Sequence, residues 1–362
     1  MQSNSLAGRA ARLLGLGAGI ALLASAALAE PLKVGFVYVG PVGDHGWTYQ
    51  HDQGRLALEA ALGDQVETTY VESVPEGADA DRVIRQLAAS GHELIFTTSF
   101  GYMNPTVRVA RSFPNVRFEH ATGYQRAPNV STYAARFYEG RYVVGLVAGR
   151  MTKSNVIGYI GSHPIPEVIR GINSFTLALR SVNPEAEVRV VWVNSWYDPG
   201  READAAKALI DQGADIILQH TDSPAPVQAA QERGVWAVGQ ASDMARFGPD
   251  AHLTAIVDIW DAYYIDHTKA AIDGSWTSQD TWGGLADDML RLSDWNAAIP
   301  ADVVAEAEAA KAAIMSGELH PFRGPVRNQA GEVVVPAGDI VPDGDLLSMD
   351  WYVEGVQGSV PK

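Results

Sequence analysis

The chain alternates short runs of apolar, β-branched residues with longer segments of helical periodicity, and this alternation constrains its fold more than any other feature. The first unit is a strand over 33–39, a loop rich in Gly and Pro, and a helix over about 48–62. The rhythm continues to about residue 150, and a second series of the same kind begins at Val156. Strands that alternate with helices are typical of a parallel sheet covered by helices. The sequence therefore predicts an α/β protein with two successive lobes of similar size.

The first 29 residues have the pattern of a secretory signal peptide. Arg9 and Arg12 precede an uncharged apolar stretch over 13–28, and Ala27-Leu28-Ala29 supplies the small residues that a signal peptidase reads. A membrane anchor is the alternative, but the stretch is short for a span of about 20 residues and contains three glycines. We therefore expect a periplasmic protein, and one without a lipid anchor, because the chain has no cysteine.

The composition excludes several classes of function. With 27 Lys and Arg against 43 Asp and Glu, the net charge is −16, which argues against a nucleic-acid or anionic-membrane partner. The absence of Cys excludes disulfides, thiolate metal sites and Cys nucleophiles. The nine His residues show no zinc-binding spacing, and there is no phosphate-binding loop or G-x-S-x-G motif. We expect no metal and no cofactor.

Aromatic residues and carboxylates recur just after the predicted strands, where parallel sheets bind their ligands. These strand-end candidates are Asp44, Trp47, Thr48, Phe100, Trp196, Asp222, Asp243 and Asp258. Each Asp could instead cap the helix that follows it. Capping is favoured for Asp198, which precedes Pro199, whereas capping and ligand contact weigh equally for Asp44, Asp222 and Asp243.

The same residues indicate the chemistry of a ligand. Trp47 and Trp196, one from each lobe, could stack on opposite faces of a flat ring. Carboxylates without clustered Lys or Arg favour a neutral or cationic molecule rich in hydrogen-bond donors. A sugar fits this description, and an aromatic heterocycle with an exocyclic amine fits it better. A pair of carboxylates such as Asp44 and Asp243 also leaves an acid–base enzyme open.

At this point the chain resembles the basic membrane protein family of solute-binding proteins, the extracytoplasmic receptors of ABC importers that include purine-nucleoside receptors. The resemblance covers Lys33 to about Gly324. It depends on seven segments: Asp44 to Gly54, Pro114 to Phe118, Pro128 to Val130, Glu139-Gly140 with Gly145, Ser195 to Pro199, Ala208 to Asp215, and Gly239 to Asp243.

The resemblance implies a type I periplasmic-binding-protein fold, with two Rossmann-like lobes, three crossings and a ligand in the hinge cleft. Lobe 1 would comprise 30–150 with a return segment at about 259–282, and lobe 2 would comprise 151–258 with about 283–325. Residues 326–362 would be a C-terminal extension, either packed on the lobes or forming a partner surface.

The resemblance also implies roles for single residues. It places Asp44 at the edge of a purine base, Trp47 and Trp196 where the family usually has stacking Phe residues, Thr48 where it usually has Asn, and Asp243 at a polar contact.

Two departures concern the ribose region of nucleoside receptors. The segment 220–223 replaces a Gly-rich turn, and Asp258 replaces a Lys that is frequent in the family. Both suggest a smaller or differently decorated ligand, such as the free base adenine.

We therefore expect a monomeric receptor that binds a purine base or nucleoside and presents it to ABC permease subunits. The alternatives are a sugar or polyol receptor of the same fold, a sensory receptor, and a nucleoside-processing enzyme.

Overall fold

The computed structural model describes residues 30–361. The expected signal peptide, residues 1–29, lies outside this range. Within residues 30–361, no helix combines the length and the apolar character that crossing a membrane requires.

The strands and helices follow one another in the predicted alternation. The strands are β1 (Leu32–Val37), β2 (Val66–Val71), β3 (Leu94–Thr97), β4 (Arg117–Ala121), β5 (Val130–Ala135), β6 (Val156–Gly161), β7 (Glu187–Trp192), β8 (Ile216–Gln219), β9 (Trp236–Ala241), β10 (His252–Asp258), β11 (Asp280–Gly283), β12 (Leu290–Leu292), β13 (Val326–Arg327), β14 (Val333–Val335) and β15 (Val356–Gln357). The helices are α1 (Gly46–Leu62), α2 (Ala78–Ala89), α3 (Met103–Ala110), α4 (Phe137–Met151), α5 (Pro166–Val182), α6 (Pro199–Asp211), α7 (Ala225–Arg233), α8 (Asp261–Asp273), α9 (Ala301–Met315) and α10 (Asp343–Leu347).

The strands form two large sheets. The first has six parallel strands in the order β11-β5-β4-β3-β1-β2. The second has seven strands in the order β12-β10-β9-β8-β6-β7-β15, and only β12 among them runs antiparallel to its neighbour. The prediction of an α/β fold with parallel sheets is confirmed. We call the first sheet with α1, α2, α3 and α8 the first lobe, and the second sheet with α4 to α7 and α9 the second lobe.

The central strands are buried because both of their faces are covered. In β1, Val34 and Phe36 are fully buried on one face and Val37 on the other, and Phe36 stacks on Phe96 of β3 with ring centroids 4.8 Å apart. Strands of this kind have near-continuous apolar sequences, as expected for parallel sheets.

The chain passes between the sheets three times within the described residues: between β5 and α4, between β10 and α8, and between β11 and β12. Helix α4 packs against α5 and α9, and therefore belongs with the second sheet, although the sequence division placed it in lobe 1. Two glycines of α4 permit this packing. A Cβ added at Gly145 would lie 2.4 Å from the Phe175 carbonyl oxygen, and one added at Gly149 would lie 2.8 Å from the Leu179 carbonyl oxygen. The remaining lobe boundaries stay predictions.

The C-terminal extension packs on the second lobe. Strand β15 pairs with β7, and α10 contacts α5. The buried Asn173 of α5 donates to the Trp351 carbonyl oxygen (2.7 Å) and accepts from the Val353 backbone N–H (3.0 Å). Asp343 receives two hydrogen bonds from Arg136, which lies at the first crossing between the sheets.

Candidate functional site

A cavity lies where the carboxyl ends of the two sheets face each other. The first lobe contributes half of its lining residues and the second lobe the other half: Val39, Trp47, Ser99, Phe100 and Thr122 from the first, and Glu167, Trp196, His220, Asp222 and Gln240 from the second. Seven of these residues lie within four positions after a strand, Gln240 lies in β9, and Trp47 and Glu167 lie in the first turns of α1 and α5. Four of the eight predicted site residues, Trp47, Phe100, Trp196 and Asp222, therefore line one cavity.

Trp47 is held firmly in the first turn of α1. Its indole N–H donates to the Thr98 carbonyl oxygen at 2.7 Å. Its ring packs edge-on against His51, with centroids 4.3 Å apart, and against the buried Trp260 at 5.7 Å. The half-buried indole is thus a fixed wall of the cavity.

Trp196 joins the two lobes through Glu76, a residue that the sequence did not point to. The Trp196 indole N–H donates to Glu76 Oε1 at 3.0 Å. The same oxygen accepts from the Ser99 hydroxyl (2.6 Å) and the Gly101 backbone N–H (3.1 Å). Glu76 therefore holds the loop that carries Phe100 and also contacts the aromatic wall of the opposite lobe.

Asp222 connects the second lobe to the start of α1. Burial, followed by the nearby Glu202, raises the pKa of its carboxyl group well above the ordinary value, and the Trp47 backbone N–H acts in the opposite direction. The Gly46 backbone N–H donates to the Ser242 hydroxyl at 2.7 Å. Gly46 has a φ of +82°, and a Cβ there would lie 2.6 Å from the Asp222 carbonyl oxygen. The lobes therefore meet closely at this point.

Asp44, Asp198 and Asp243 do not line the cavity. Asp44 is exposed, and its carboxylate contacts His45 at 2.7 Å and Arg246 of the second lobe at 2.5 Å, which lowers its pKa. Asp243 accepts from the Ala245 backbone N–H at 2.9 Å, and Asp198 caps α6 by accepting from the Arg201 backbone N–H at 3.1 Å. Asp198 thus acts as a cap, and Asp243 holds the turn that follows it. Asp44 forms an ion pair with Arg246 at the rim of the cavity.

Thr48 and Asp258 lie near the cavity without lining it. Thr48 is buried and accepts from the Gly40 backbone N–H at 3.3 Å, beside a smaller cavity that Trp47 and Asp222 also line. Asp258 is fully buried at the end of β10, and neither of its carboxylate oxygens has a hydrogen-bond partner among the described residues. Burial raises its pKa well above the ordinary value, and Glu167 and Asp222 add to the rise.

An arginine enters this region from a helix, which sequence reasoning missed. Arg141 of α4 is 1% exposed and donates through Nη2 to the Gln219 carbonyl oxygen (2.8 Å) and to Gln240 Oε1. His220 lies with Nδ1 3.1 Å from the Ser162 hydroxyl and Nε2 3.4 Å from Glu167 Oε1. The site therefore combines carboxylates with one buried cation, two imidazole nitrogens and aromatic walls.

Comparison with known proteins gives a consistent result. Residues 32–320 match the Bmp family model, described as ABC transporter substrate-binding protein PnrA-like. The chain is 57% identical over 345 residues to a purine-binding protein of Brucella abortus, covering 95% of this chain and 98% of that protein. It is 38% identical over 332 residues to a Haloferax volcanii protein provisionally named an ABC transporter glucose-binding protein, covering 92% and 82% of the two chains.

Among solved structures, an ABC transporter solute-binding protein from Aeropyrum pernix matches with a TM-score of 0.71 at 20% identity, over 80% of this chain and 93% of that one. At this identity the likeness concerns the fold alone.

The family model spans most of the described chain, and the Brucella relative aligns over nearly all of it. Substrate-binding proteins of ABC importers act outside the cytoplasmic membrane, where they bind a small molecule and present it to permease subunits. The resemblance seen in the strand-end motifs is confirmed, and the chain belongs to the Bmp family of ABC transporter substrate-binding proteins.

Proposed function

We propose that this protein captures a purine-type solute, a free base or a nucleoside, in the periplasm and delivers it to an ABC importer. The observation that carries the proposal is the pair of tryptophans, Trp47 and Trp196, which come from different lobes and line the same cavity. The name of the Brucella abortus relative, a purine-binding protein, supports the same ligand class.

The chemistry of the cavity suits a flat heterocycle. Indole and phenyl rings offer stacking area to any base, and such stacking is worth about 1–3 kcal/mol per base. Asp222 and Glu167 lie on the second-lobe side, where their oxygens accept hydrogen bonds from ring or exocyclic N–H groups. The ligand is then held on its faces by aromatic rings and at its edge by acceptors.

Capture follows from movement of the lobes about the three crossings. The contacts from Gly46 to Ser242, from Trp47 to Asp222 and from Trp196 to Glu76 all span the two lobes. A ligand that touches both lobes stabilises this closed arrangement, which is the form that the permease would recognise. Binding involves no bond cleavage, so the protein is a receptor and not an enzyme. It acts as a monomer after removal of residues 1–29 as a signal peptide.

A sugar is the second candidate, because one observation favours it. The Haloferax volcanii relative carries the name of a glucose-binding protein, and carboxylates beside tryptophan also suit sugar hydroxyls. A sugar ring would use the indole faces through its C–H groups and would not need acceptors arranged in one plane.

Mass spectrometry of the denatured, freshly purified protein tests the ligand class. We expect a purine base or nucleoside to be released intact. Calorimetry against bases, nucleosides and sugars then measures the preference, and the ligand recovered by chromatography after incubation must be unchanged. Binding of sugars alone would reject the purine proposal. Conversion of a nucleoside into base and sugar would reject the proposal that the protein is a receptor and not an enzyme.

Variants at Trp196 separate stacking from the contact with Glu76. Trp196→Ala removes both and should weaken purine binding about 5- to 150-fold, the range given by base stacking. Trp196→Phe keeps a ring but loses the N–H donor, and should weaken binding about 2- to 10-fold. Trp295→Ala is the matched control, because that indole donates to Glu308 at 2.8 Å, away from the cavity. Unchanged affinity in Trp196→Ala would contradict the proposed sandwich.

A further inference from the structure

Gln240 is a buried amide whose orientation the structure determines. It lies on β9, is 3% exposed and lines the cavity. Its Oε1 accepts a hydrogen bond from Arg141 Nη2. A guanidinium has only donors, so the amide oxygen and not the amide nitrogen must face Arg141. The part of the Gln240 amide that remains available to a ligand in the cavity is therefore its N–H donor.

Arg141 is itself immobilised. Its Nη2 also donates to the Gln219 carbonyl oxygen at 2.8 Å, and its guanidinium carbon lies 5.3 Å from the centre of the Tyr159 ring. The buried carboxyl group of Asp258 is a further neighbour, on the adjacent strand β10. Any rotation of the guanidinium would give up these partners inside the protein, which is costly for a buried cation.

The donor of Gln240 lies among acceptors. Asp222 and Glu167 line the same cavity, and a carboxyl group offers acceptor oxygens to a ligand whether or not it holds a proton. A ligand in this cavity therefore meets a donor from β9 and acceptors from the loop after β8 and from the start of α5. The pattern is directional and distinguishes molecules of the same shape.

We propose that Gln240 is a specificity-determining donor of this receptor and that Arg141 is the positioning residue that fixes it. This inference rests on the proposed purine function and narrows the ligand class. The preferred ligand has an unprotonated ring nitrogen or an exocyclic oxygen toward β9, and N–H groups toward Asp222 and Glu167. A site built to donate to a buried acceptor rejects an analogue that lacks it, because its donor is then left unpaired.

Calorimetry with purine analogues tests the role of Gln240. The probes are adenine and hypoxanthine, their 1-, 3- and 7-deaza analogues, and unsubstituted purine, which lacks the exocyclic group. In the wild-type protein, the analogue without the contacted acceptor should bind about 10-fold more weakly or worse. In Gln240→Met, which has a similar volume but no donor, the parent should bind more weakly, and this analogue penalty should fall below about twofold. Thermal melts establish that the variant is folded.

Two results would overturn the inference, and they differ from failure of the proposed function. An analogue penalty that persists in Gln240→Met would show that another group makes the contact. Wild-type affinity for every purine in Gln240→Met would show that the amide does not touch the ligand. If no purine binds the wild-type protein, the proposed function and this inference both fail.

The role of Arg141 is tested by selectivity instead of affinity alone. Arg141→Met frees the Gln240 amide to rotate, so the ratio of affinities between the parent and the deaza analogue should move toward one. Arg141→Lys retains a donor toward Gln240 Oε1 and should recover part of the ratio. A purely structural role for Arg141 would lower the melting temperature and leave the ratio unchanged, which would overturn the positioning role.

Discussion

Closure of the two lobes should become less favourable when a methyl group is added at Gly46. An alanine Cβ there would lie 2.6 Å from the Asp222 carbonyl oxygen, where ordinary contact begins at 3.4 Å. Opposite parts of the lobes must therefore separate by several tenths of an ångström. The separation weakens the hydrogen bond from Gly46 to Ser242, because such a bond is lost beyond about 3.5 Å.

The size of the effect follows from this bond. At about 0.5–1.5 kcal/mol, its loss destabilises the closed form enough to weaken ligand affinity about 2- to 12-fold. A second cost comes from the positive φ of Gly46, where an L-residue is disfavoured by about 1–2 kcal/mol. This second cost is present with or without ligand.

Gly43→Ala is a control matched for the backbone cost. Gly43 has a φ of +52° in the same loop, and nothing lies within 4 Å of its added Cβ. Both variants should lower the melting temperature of the ligand-free protein by similar amounts. Only Gly46→Ala should weaken ligand binding measured by calorimetry. Equal affinities in the two variants would refute the reasoning that the Gly46 contact belongs to the ligand-bound form.

Three further predictions concern charge and packing. Burial raises the pKa of Asp258, so the folded protein holds a proton that the unfolded chain releases, and the free energy of unfolding falls as pH rises above about 4. Asp258→Asn removes this dependence. In thermal melts, the melting temperature of the variant relative to that of wild type should rise from pH 4 to 8. A difference that stays constant with pH would contradict this. Asp44→Asn removes the exposed ion pair with Arg246 across the cleft, so stopped-flow measurements should show faster ligand release at low salt and no difference at about 0.5 M salt, since ions screen exposed charges. Asn173→Ala leaves the Trp351 carbonyl and the Val353 N–H unpaired, and should cost about 1–3 kcal/mol in unfolding free energy without changing ligand affinity; altered affinity would show that the C-terminal extension acts on the site.

The fold was predictable because each element has a strong local signal. Helix α1 ends at Leu62, where the sequence predicts its end. Helix α5 begins at Pro166, since proline favours the first turn, and its apolar residues recur with helical period. The short strands β11, β12 and β15 were not predicted, because two to four residues carry too little periodicity to be distinguished from loops.

The site was predictable only where its residues follow strands. Trp47, Trp196, Phe100 and Asp222 line the cavity because parallel strands bring their carboxyl ends to one edge. Glu76 comes from a loop between β2 and α2, and no sequence pattern marks it.

Arg141 lies on an apolar helix and reaches the site only because α4 packs under the second sheet. Such groups meet through tertiary packing, which the spacing of residues in one sequence does not encode. Asp44 and Asp243 show that a position after a strand does not by itself place a carboxylate in the cavity. Asp44 pairs with Arg246, and Asp243 accepts a hydrogen bond from the backbone.

The pairing of β15 with β7 has a consequence for the solution behaviour of the protein. Strand β7 would otherwise end the second sheet with open backbone donors and acceptors, which another polypeptide can use to extend the sheet. Strand β15, which lies beyond the segment matched by the family model, covers the open edge of β7. The protein therefore blocks an edge at which other chains could pair. Shortened forms that lack the last few residues should accordingly self-associate while retaining a complete ligand pocket.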